Sequence, residues 1–469
     1  MNILLVGSGP SAFMCLKQLL TRDDLNITMI DNADTREVNN KSNCVYGSKS
    51  INTSRIKNED IFENTNNEIK NLITKNFGGL SSVWGSSINE ISNAEKEKFT
   101  KQNIYLDEAF TYLRSEMNFI SQDNSFSNNV VNLPVNAKVE KIIEEIHKTK
   151  KINASYSKFL ASKSLNYDIE ICNICSSYKI MCSQESLWSS ADEIKQFIDK
   201  DRLAYLPNHK LLKFNENDNY VNCEVVNKHE TLNLDFDYVF IAAGPFGTSE
   251  IFLNSNLVNK VTIQSSDLMT VPFITTPYKN INHSSHPELF FEDEIEEKLI
   301  FSQLYLYSDN LLKIFTNHNK FLGTFTFAPN IIKNIFGGLR VFLDPDISSK
   351  IDLTLDKRRN LRKNIEFFNQ DKQKHIVNKH LKKYKDFGIF PFDFFKKVLS
   401  NGESYHFGSQ FKSGALDSKN CSDDLGRVNG LKKCFVVDSS VLPVVNTGPI
   451  TYTSMANSYR ITNKFLQLL

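Results

Sequence analysis

Ile3-Leu4-Leu5-Val6-Gly7-Ser8-Gly9-Pro10-Ser11-Ala12 decides how the rest of the chain is read. Four apolar residues in a row form a buried strand, and the glycines with the following proline form a turn. Phe13, Leu16 and Leu20 then recur at helical spacing, and residues 27–30 make a second apolar run ending at Asp31. Strand, glycine turn, helix, strand and acid make a βαβ unit. The turn fits the dinucleotide fingerprint G-x-G-x-x-G/A. Gly7 makes the bend, Gly9 lets a pyrophosphate approach the backbone, and Ala12 lets the helix pack closely on the strand. Pro10 and Ser11 open a helix whose free N–H groups and positive end suit phosphates. Asp31 stands where a carboxylate accepts ribose hydroxyls. The motif alone does not separate FAD from NAD.

Glycine is scarce elsewhere, with 18 in 469 residues against the roughly 33 of average usage. It gathers at Gly7 and Gly9, at Gly78, Gly79 and Gly85, at Gly244 and Gly247, and at Gly408, Gly414, Gly426, Gly430 and Gly448. These are the places where backbone must turn or let something approach. Lys+Arg 55 against Asp+Glu 54 leaves a formal charge of +1, no footprint for nucleic acid or anionic lipid. No apolar run approaches the length of a membrane-spanning helix, and the opening residues lack the charged start of a signal peptide. The eight cysteines are scattered and make no disulfide framework, so a cytoplasmic location is expected. Cys172, Cys175 and Cys182 fall short of the four ligands of zinc or an iron–sulfur cluster, and no metal is expected.

Further along, the pattern predicts a helix over 66–75 and a mostly helical stretch over 94–164. It predicts a hairpin from 220–226 and 232–241, then a short helix to 253, and aromatic strands at 300–307 and 323–327. Residues 351–384 read as charged helix, with the basic run 357–363 as its solvated face or, failing that, a docking patch for a phosphorylated substrate. A closing helix covers 450–469.

Two glycine segments bear on which dinucleotide is bound. One is Gly78-Gly79-Leu80-Ser81-Ser82-Val83-Trp84-Gly85. The other is Tyr238-Val239-Phe240-Ile241-Ala242-Ala243-Gly244-Pro245-Phe246-Gly247-Thr248, a strand ending in the small residues a close-packed cofactor requires. Both resemble segments of the glucose–methanol–choline (GMC) oxidoreductases. The C-terminal runs Leu425-Gly426-Arg427-Val428-Asn429-Gly430-Leu431, Cys434-Phe435-Val436-Val437-Asp438-Ser439-Ser440-Val441-Leu442-Pro443 and Thr453-Ser454-Met455-Ala456-Asn457-Ser458-Tyr459-Arg460-Ile461 are similar to that family's closing signature. The motifs keep family order and leave about 260–400 uncovered. The resemblance implies FAD, with Gly79, Ser81, Ser82, Val83, Trp84, Gly85, Ala242 and Gly244 along the flavin. It puts Asp438 and Ser439 at phosphate and ribityl, and Pro449 and Ile450 at the helix start facing the ring. No histidine or cysteine follows the 78–85 segment at close range, so the FAD is expected to be non-covalent.

Tyr405-His406-Phe407-Gly408-Ser409-Gln410-Phe411-Lys412-Ser413-Gly414 is similar to the family's His-x-x-Gly-Thr-x-x-Met-Gly segment, with Ser409, Gln410 and Ser413 in place of Gly, Thr and Met. The resemblance implies that His406 faces the reacting side of the flavin. An imidazole with a pKa near 6.5 is the natural base for a hydroxyl proton. The family's second catalytic residue, His or Asn, is replaced by Pro449, which cannot handle a proton; Asn446, Thr447 or Thr451 could supply a hydrogen bond instead.

The resulting expectation is an α/β chain. A Rossmann-like FAD-binding domain is assembled from 1–95, 165–260 and 401–469. Residues 96–164 form a helical excursion, and 261–400 a substrate-binding cap with an antiparallel sheet. The expected reaction is FAD-dependent oxidation of a small sugar-like or other polar alcohol, with His406 as base, in carbohydrate metabolism. The alternatives are a non-redox flavin-dependent isomerase or mutase on a glycan precursor, and a flavin-binding scaffold that has lost catalysis.

Overall fold

A computed structural model describes residues 1–33, 74–82, 84–163, 181, 186–200, 202–278, 286–308, 311, 332–392, 397–398, 404–414 and 420–469. Helix 66–75, for most of its length, strand 323–327, Val83 and the three cysteines Cys172, Cys175 and Cys182 lie outside them. The opening strand, Asn2–Val6, lies at the centre of a five-stranded parallel sheet. Tyr238–Ile241 and then Cys434–Val436 pair on one side of it, Asn26–Asp31 and then Ala204–Pro207 on the other. Ile3, Leu4 and Leu5 are fully buried, as a parallel sheet covered on both faces requires. The closing helix Thr451–Leu468 packs on the first helix, Pro10–Leu19. Small residues let them approach: Ser11 Oγ and Ser454 Oγ are 2.7 Å apart, and Ser458 Oγ donates to the Ser11 carbonyl at 2.7 Å.

Beside this sheet stands a seven-stranded antiparallel one. Its main path runs Ile389–Pro391, Leu268–Thr275, Phe336–Leu343, Lys298–Leu306, Leu289–Ile295, Asn153–Tyr156, and Lys397–Val398 also pairs with Leu268–Thr275. Alternation gives the sheet two faces. Leu339, Val341 and Leu343 pack with the helices Ala137–Thr149 and Gln370–Lys383. Arg340 and Phe342 take the other face, where Phe342 clusters with Leu268, Phe290 and Phe301. A four-stranded sheet, Leu361–Glu366, Lys350–Leu355, Val261–Ser265 and Phe407–Gly408, carries the His406 segment.

Three expectations are corrected. The second arm of the hairpin splits at Asp237: Thr231–Phe236 stays in the hairpin, and Tyr238–Ile241 joins the parallel sheet. The first piece alternates polar and apolar residues and is half-buried, whereas the second is a continuous apolar run. The stretch 94–164 holds three helices, Asn93–Thr100, Asp107–Glu116 and Ala137–Thr149, but also strands that include Asn118–Ser121 and Lys158–Ala161. Residues 351–384 are helical only over Gln370–Lys383; Lys350–Leu355 and Leu361–Glu366 form a hairpin. Lys-Ile-Asp-Leu-Thr-Leu has the period of a strand, and charge on the edge strand protects it from further pairing. The basic run is therefore turn and edge strand. Arg359 donates to the Asn254 carbonyl at 2.7 Å and caps a helix end, and Arg362 pairs with Asp356 at 2.9 Å.

Among the described residues no helix is long and apolar enough to cross a membrane, and no cluster of His, Cys, Asp and Glu could hold a metal.

Candidate functional site

The parallel strands end at one cleft, which is lined at Val6, Asp31 and Ala242. Gly7 bends the chain there with φ +100°, and a Cβ on it would collide with the Ala242 carbonyl, so the position requires glycine. Three helices begin on this cleft: Pro10–Leu19, Gly244–Asn254 and Thr451–Leu468. None has a side-chain cap, and their N-cap residues are Gly9, Ala243 and Ile450. Uncapped N–H groups and three positive helix ends make the cleft a receptor for an anionic group. A Cβ built on Gly9 meets nothing within 4 Å, so the backbone there stands open.

Of the residues singled out in the sequence, Gly7, Gly9, Pro10, Ser11, Asp31, Gly79, Ser81, Trp84, Ala242, Gly244, Asp438, Ser439, Ile450 and Thr451 line the cleft. Ala12 is buried beneath it, while Ser82 and Gly85 stand outside its lining. The Asp31 carboxyl is pushed up to about 6 by burial, against hydrogen bonds from Ser8 and backbone N–H groups that favour its charged form. Asp438 is raised by burial as well; it accepts from Thr248 Oγ1 at 2.6 Å and from the Ser440 N–H at 2.9 Å.

Several of these residues brace the cleft with their own side chains. Ser81 Oγ donates to the Gly78 carbonyl at 2.6 Å and lies 2.9 Å from Ser190 Oγ. Ser82 Oγ donates to the Gly79 carbonyl at 2.8 Å, and Trp84 Nε1 to the Trp188 carbonyl at 2.9 Å. Ser439 Oγ donates to the Phe407 carbonyl at 2.8 Å, locking the C-terminal turn to the His406 segment.

Asn446, Thr447 and Pro449 do not line the main cleft. They line a smaller cavity together with Gly448, Phe301, Glu95 and Glu292. Asn446 Nδ2 donates to Thr453 Oγ1 at 2.7 Å, and Glu95 Oε1 accepts from the Thr447 N–H at 2.8 Å.

His406 itself lines neither cavity, although its chain neighbours Tyr405 and Phe407 both line the cleft. Its ring stacks on Phe342, with centroids 4.8 Å apart and planes 16° apart. A ring N–H faces the Thr447 backbone, and Nδ1 is buried without a partner among the described residues. Burial and the nearby Arg340 guanidinium push the imidazole down to about 3. That lies well below the ordinary imidazole value near 6.5: the ring is neutral at physiological pH, and its unpartnered nitrogen is a weak acceptor.

Three contributors escaped the sequence reading. Ser8, the variable residue of the fingerprint, accepts from the Gly78 N–H at 2.8 Å and bonds Asp31, joining three motifs. His209 lines the cleft, with Nδ1 2.7 Å from the Pro207 carbonyl. Arg340, charged close to His406, follows Gly337-Gly338, but the space at Gly337 is filled by Phe273 and the Tyr305 carbonyl, so the glycine pair reports sheet packing and gives no signal for the arginine.

The fold and cleft define an α/β protein in which a parallel sheet, with a cleft where three helices begin, stands beside an antiparallel sheet. Pyridoxine 4-oxidase from Mesorbium loti has this fold: its crystal structure superposes with a TM-score of 0.70 over 99% of each chain, at 11% sequence identity. No family of aligned sequences matches the chain, and neither does any curated protein sequence.

Proposed function

We propose that the protein is an FAD-dependent oxidoreductase of GMC type that oxidises the CH–OH group of a sugar-like or other polar alcohol. The observation that carries this reading is the cleft: three uncapped helix N-termini meet beside an acid placed for a ribose, in a chain sharing its fold end to end with pyridoxine 4-oxidase. The donor set suits a dinucleotide pyrophosphate, so the residues present fit FAD.

The opening of the helix Pro10–Leu19 would hold the pyrophosphate, and Asp31 the ribose hydroxyls. Gly79, Trp84, Ala242, Gly244, Ile450 and Thr451 would line the remainder. Segments 1–95, 165–260 and 401–469 would form the Rossmann-like FAD domain and 261–400 the cap. The excursion 96–164 adds the strand Asn153–Tyr156 to the cap's sheet.

FAD, when bound, supplies the hydride acceptor. His406 Nδ1 takes the hydroxyl proton, and the contact from its other nitrogen to the Thr447 backbone fixes the tautomer that can do so. Stacking on Phe342 holds the ring plane. The protein's part is to orient the alcohol and move this proton.

The test is an anaerobic panel of sugars, nucleotide-sugars and simple alcohols against the flavin-loaded protein. Bleaching of the flavin is expected. Turnover without net bleaching favours the isomerase, and neither turnover nor bleaching favours the scaffold.

A further inference from the structure

We propose that Arg340 receives an oxyanion on the substrate, so that the alcohol oxidised at His406 carries a carboxylate or phosphate. This rests on the oxidoreductase reading above and names its substrate class. Arg340 and Phe342 share one face of the strand Phe336–Leu343, two residues and about 7 Å apart. Phe342 is the ring on which His406 stacks. The guanidinium is thus held one strand repeat from the base, on the face turned away from the helix-packed core.

Among the described residues its neighbours in the sheet are neutral. In the sheet register Arg340 stands opposite Gln303 on one side and Thr270 on the other. It hydrogen-bonds the Tyr305 hydroxyl, which donates to Gln303 Oε1 at 2.8 Å. Among the described residues no carboxylate pairs with Arg340, nor with Arg358, Arg359 or Arg460, whereas Arg22, Arg114, Arg202, Arg362 and Arg427 each pair with an Asp or Glu. Glu292 shares the face, two strands away, and is held by Asn89 Nδ2 at 2.6 Å. A half-buried cation among neutral groups is an unbalanced charge. Its planar fork matches a carboxylate or phosphate in two parallel hydrogen bonds.

The same charge has a consequence at the base. Burial is the larger cause of the low basicity of His406, and Arg340 adds to it. An oxyanion seated on Arg340 offsets the second part, so an acidic substrate leaves the proton acceptor somewhat stronger than a neutral alcohol does.

The experiment titrates flavin-loaded protein with acetate, with inorganic phosphate and with neutral acetamide, following the difference spectrum of the bound flavin and the thermal midpoint. Saturable perturbation by at least one anion and none by acetamide is expected. The stronger of the two anions identifies the carboxylate or the phosphate. Arg340→Gln should weaken that binding by about tenfold or more, the scale of a lost charge-assisted bond, and Arg340→Lys should keep part of it. Equal anion binding by wild type and Arg340→Gln overturns the proposal, as does flavin-loaded protein that responds to neither anion. If Arg340→Gln does not fold, the wild-type anion-against-acetamide contrast and Arg340→Lys decide it. Protein that takes up no FAD overturns the oxidoreductase reading itself, and is told apart by its missing colour.

Discussion

The antiparallel sheet has a histidine against each face, and the two are treated in opposite ways. On the helix-packed face His380 is fully buried and fully partnered. Its Nδ1 lies 2.9 Å from Asp293 Oδ2, and its Nε2 2.8 Å from Ser302 Oγ and 3.0 Å from the Tyr384 hydroxyl. Burial pushes the Asp293 carboxyl up, but His380 and Lys383 outweigh it and hold it low. Aspartate, histidine and serine stand in the order of a hydrolytic triad, yet Ser302 and His380 have no exposed surface. On the opposite face His406 has a bare Nδ1, and Arg340 has no acidic partner among the described residues. The helix-packed face satisfies its histidine with protein groups, and the opposite face leaves one nitrogen of His406 unpartnered.

The sharpest way to break this contrast is to remove each imidazole in turn. His406→Ala should keep FAD and slow flavin reduction by about 100-fold or more, read by anaerobic stopped flow. His380→Ala should leave reduction unchanged and cost about 2–3 kcal/mol of stability, because Ser302, Tyr384 and Asp293 lose a partner while Lys383 still holds the acid. A swapped outcome would invert the assignment of the two faces.

The next effect concerns pH. A base held at about 3 stays free across the neutral range, so wild-type flavin reduction by a neutral alcohol should show no fall as pH drops through 6.5. In Arg340→Gln the smaller of the two depressing causes is gone, so any inflection should move up from about 3, while burial still holds it below the ordinary imidazole value. A wild-type inflection already at 6.5 contradicts the geometry.

Asp31 gives a third prediction. Its folded-state value of about 6 exceeds the ordinary carboxylate value near 3.9. The apoprotein therefore loses stability as pH rises from about 4 to 6, as burial of the charge takes effect. Ribose hydroxyls favour the charged carboxylate, so FAD should be held more tightly above pH 6 than at pH 5. Asp31→Asn should flatten that dependence and weaken FAD by about tenfold, measured by flavin release. The smallest effect is expected at Asn446, outside the main cleft. Asn446→Ala should cost about 1 kcal/mol through the lost bond to Thr453 and leave reduction kinetics unchanged.

The parts legible in the sequence were those set by local backbone demands. Gly7 and Gly9 between two apolar runs specify a turn under a strand end whatever the rest of the chain does, and the cleft lies there. Ala242-Ala243-Gly244 was legible for the same reason. The hairpin over Lys350–Leu355 and Leu361–Glu366 was misread because charge drew attention away from its period of two. Arg340 was not legible: its proximity to His406 comes from the register of Phe336–Leu343 with its neighbours, a long-range property no local pattern carries. Nor could the sequence foresee that the same guanidinium would lower the basicity of His406.

The central claim is that the cleft with three uncapped helix starts holds FAD. The most direct measurement is the visible spectrum of the purified protein, before and after incubation with FAD, followed by heat release and identification of the bound flavin. A yellow protein that releases intact FAD, one per chain, is expected. A colourless protein that takes up no added FAD would contradict it.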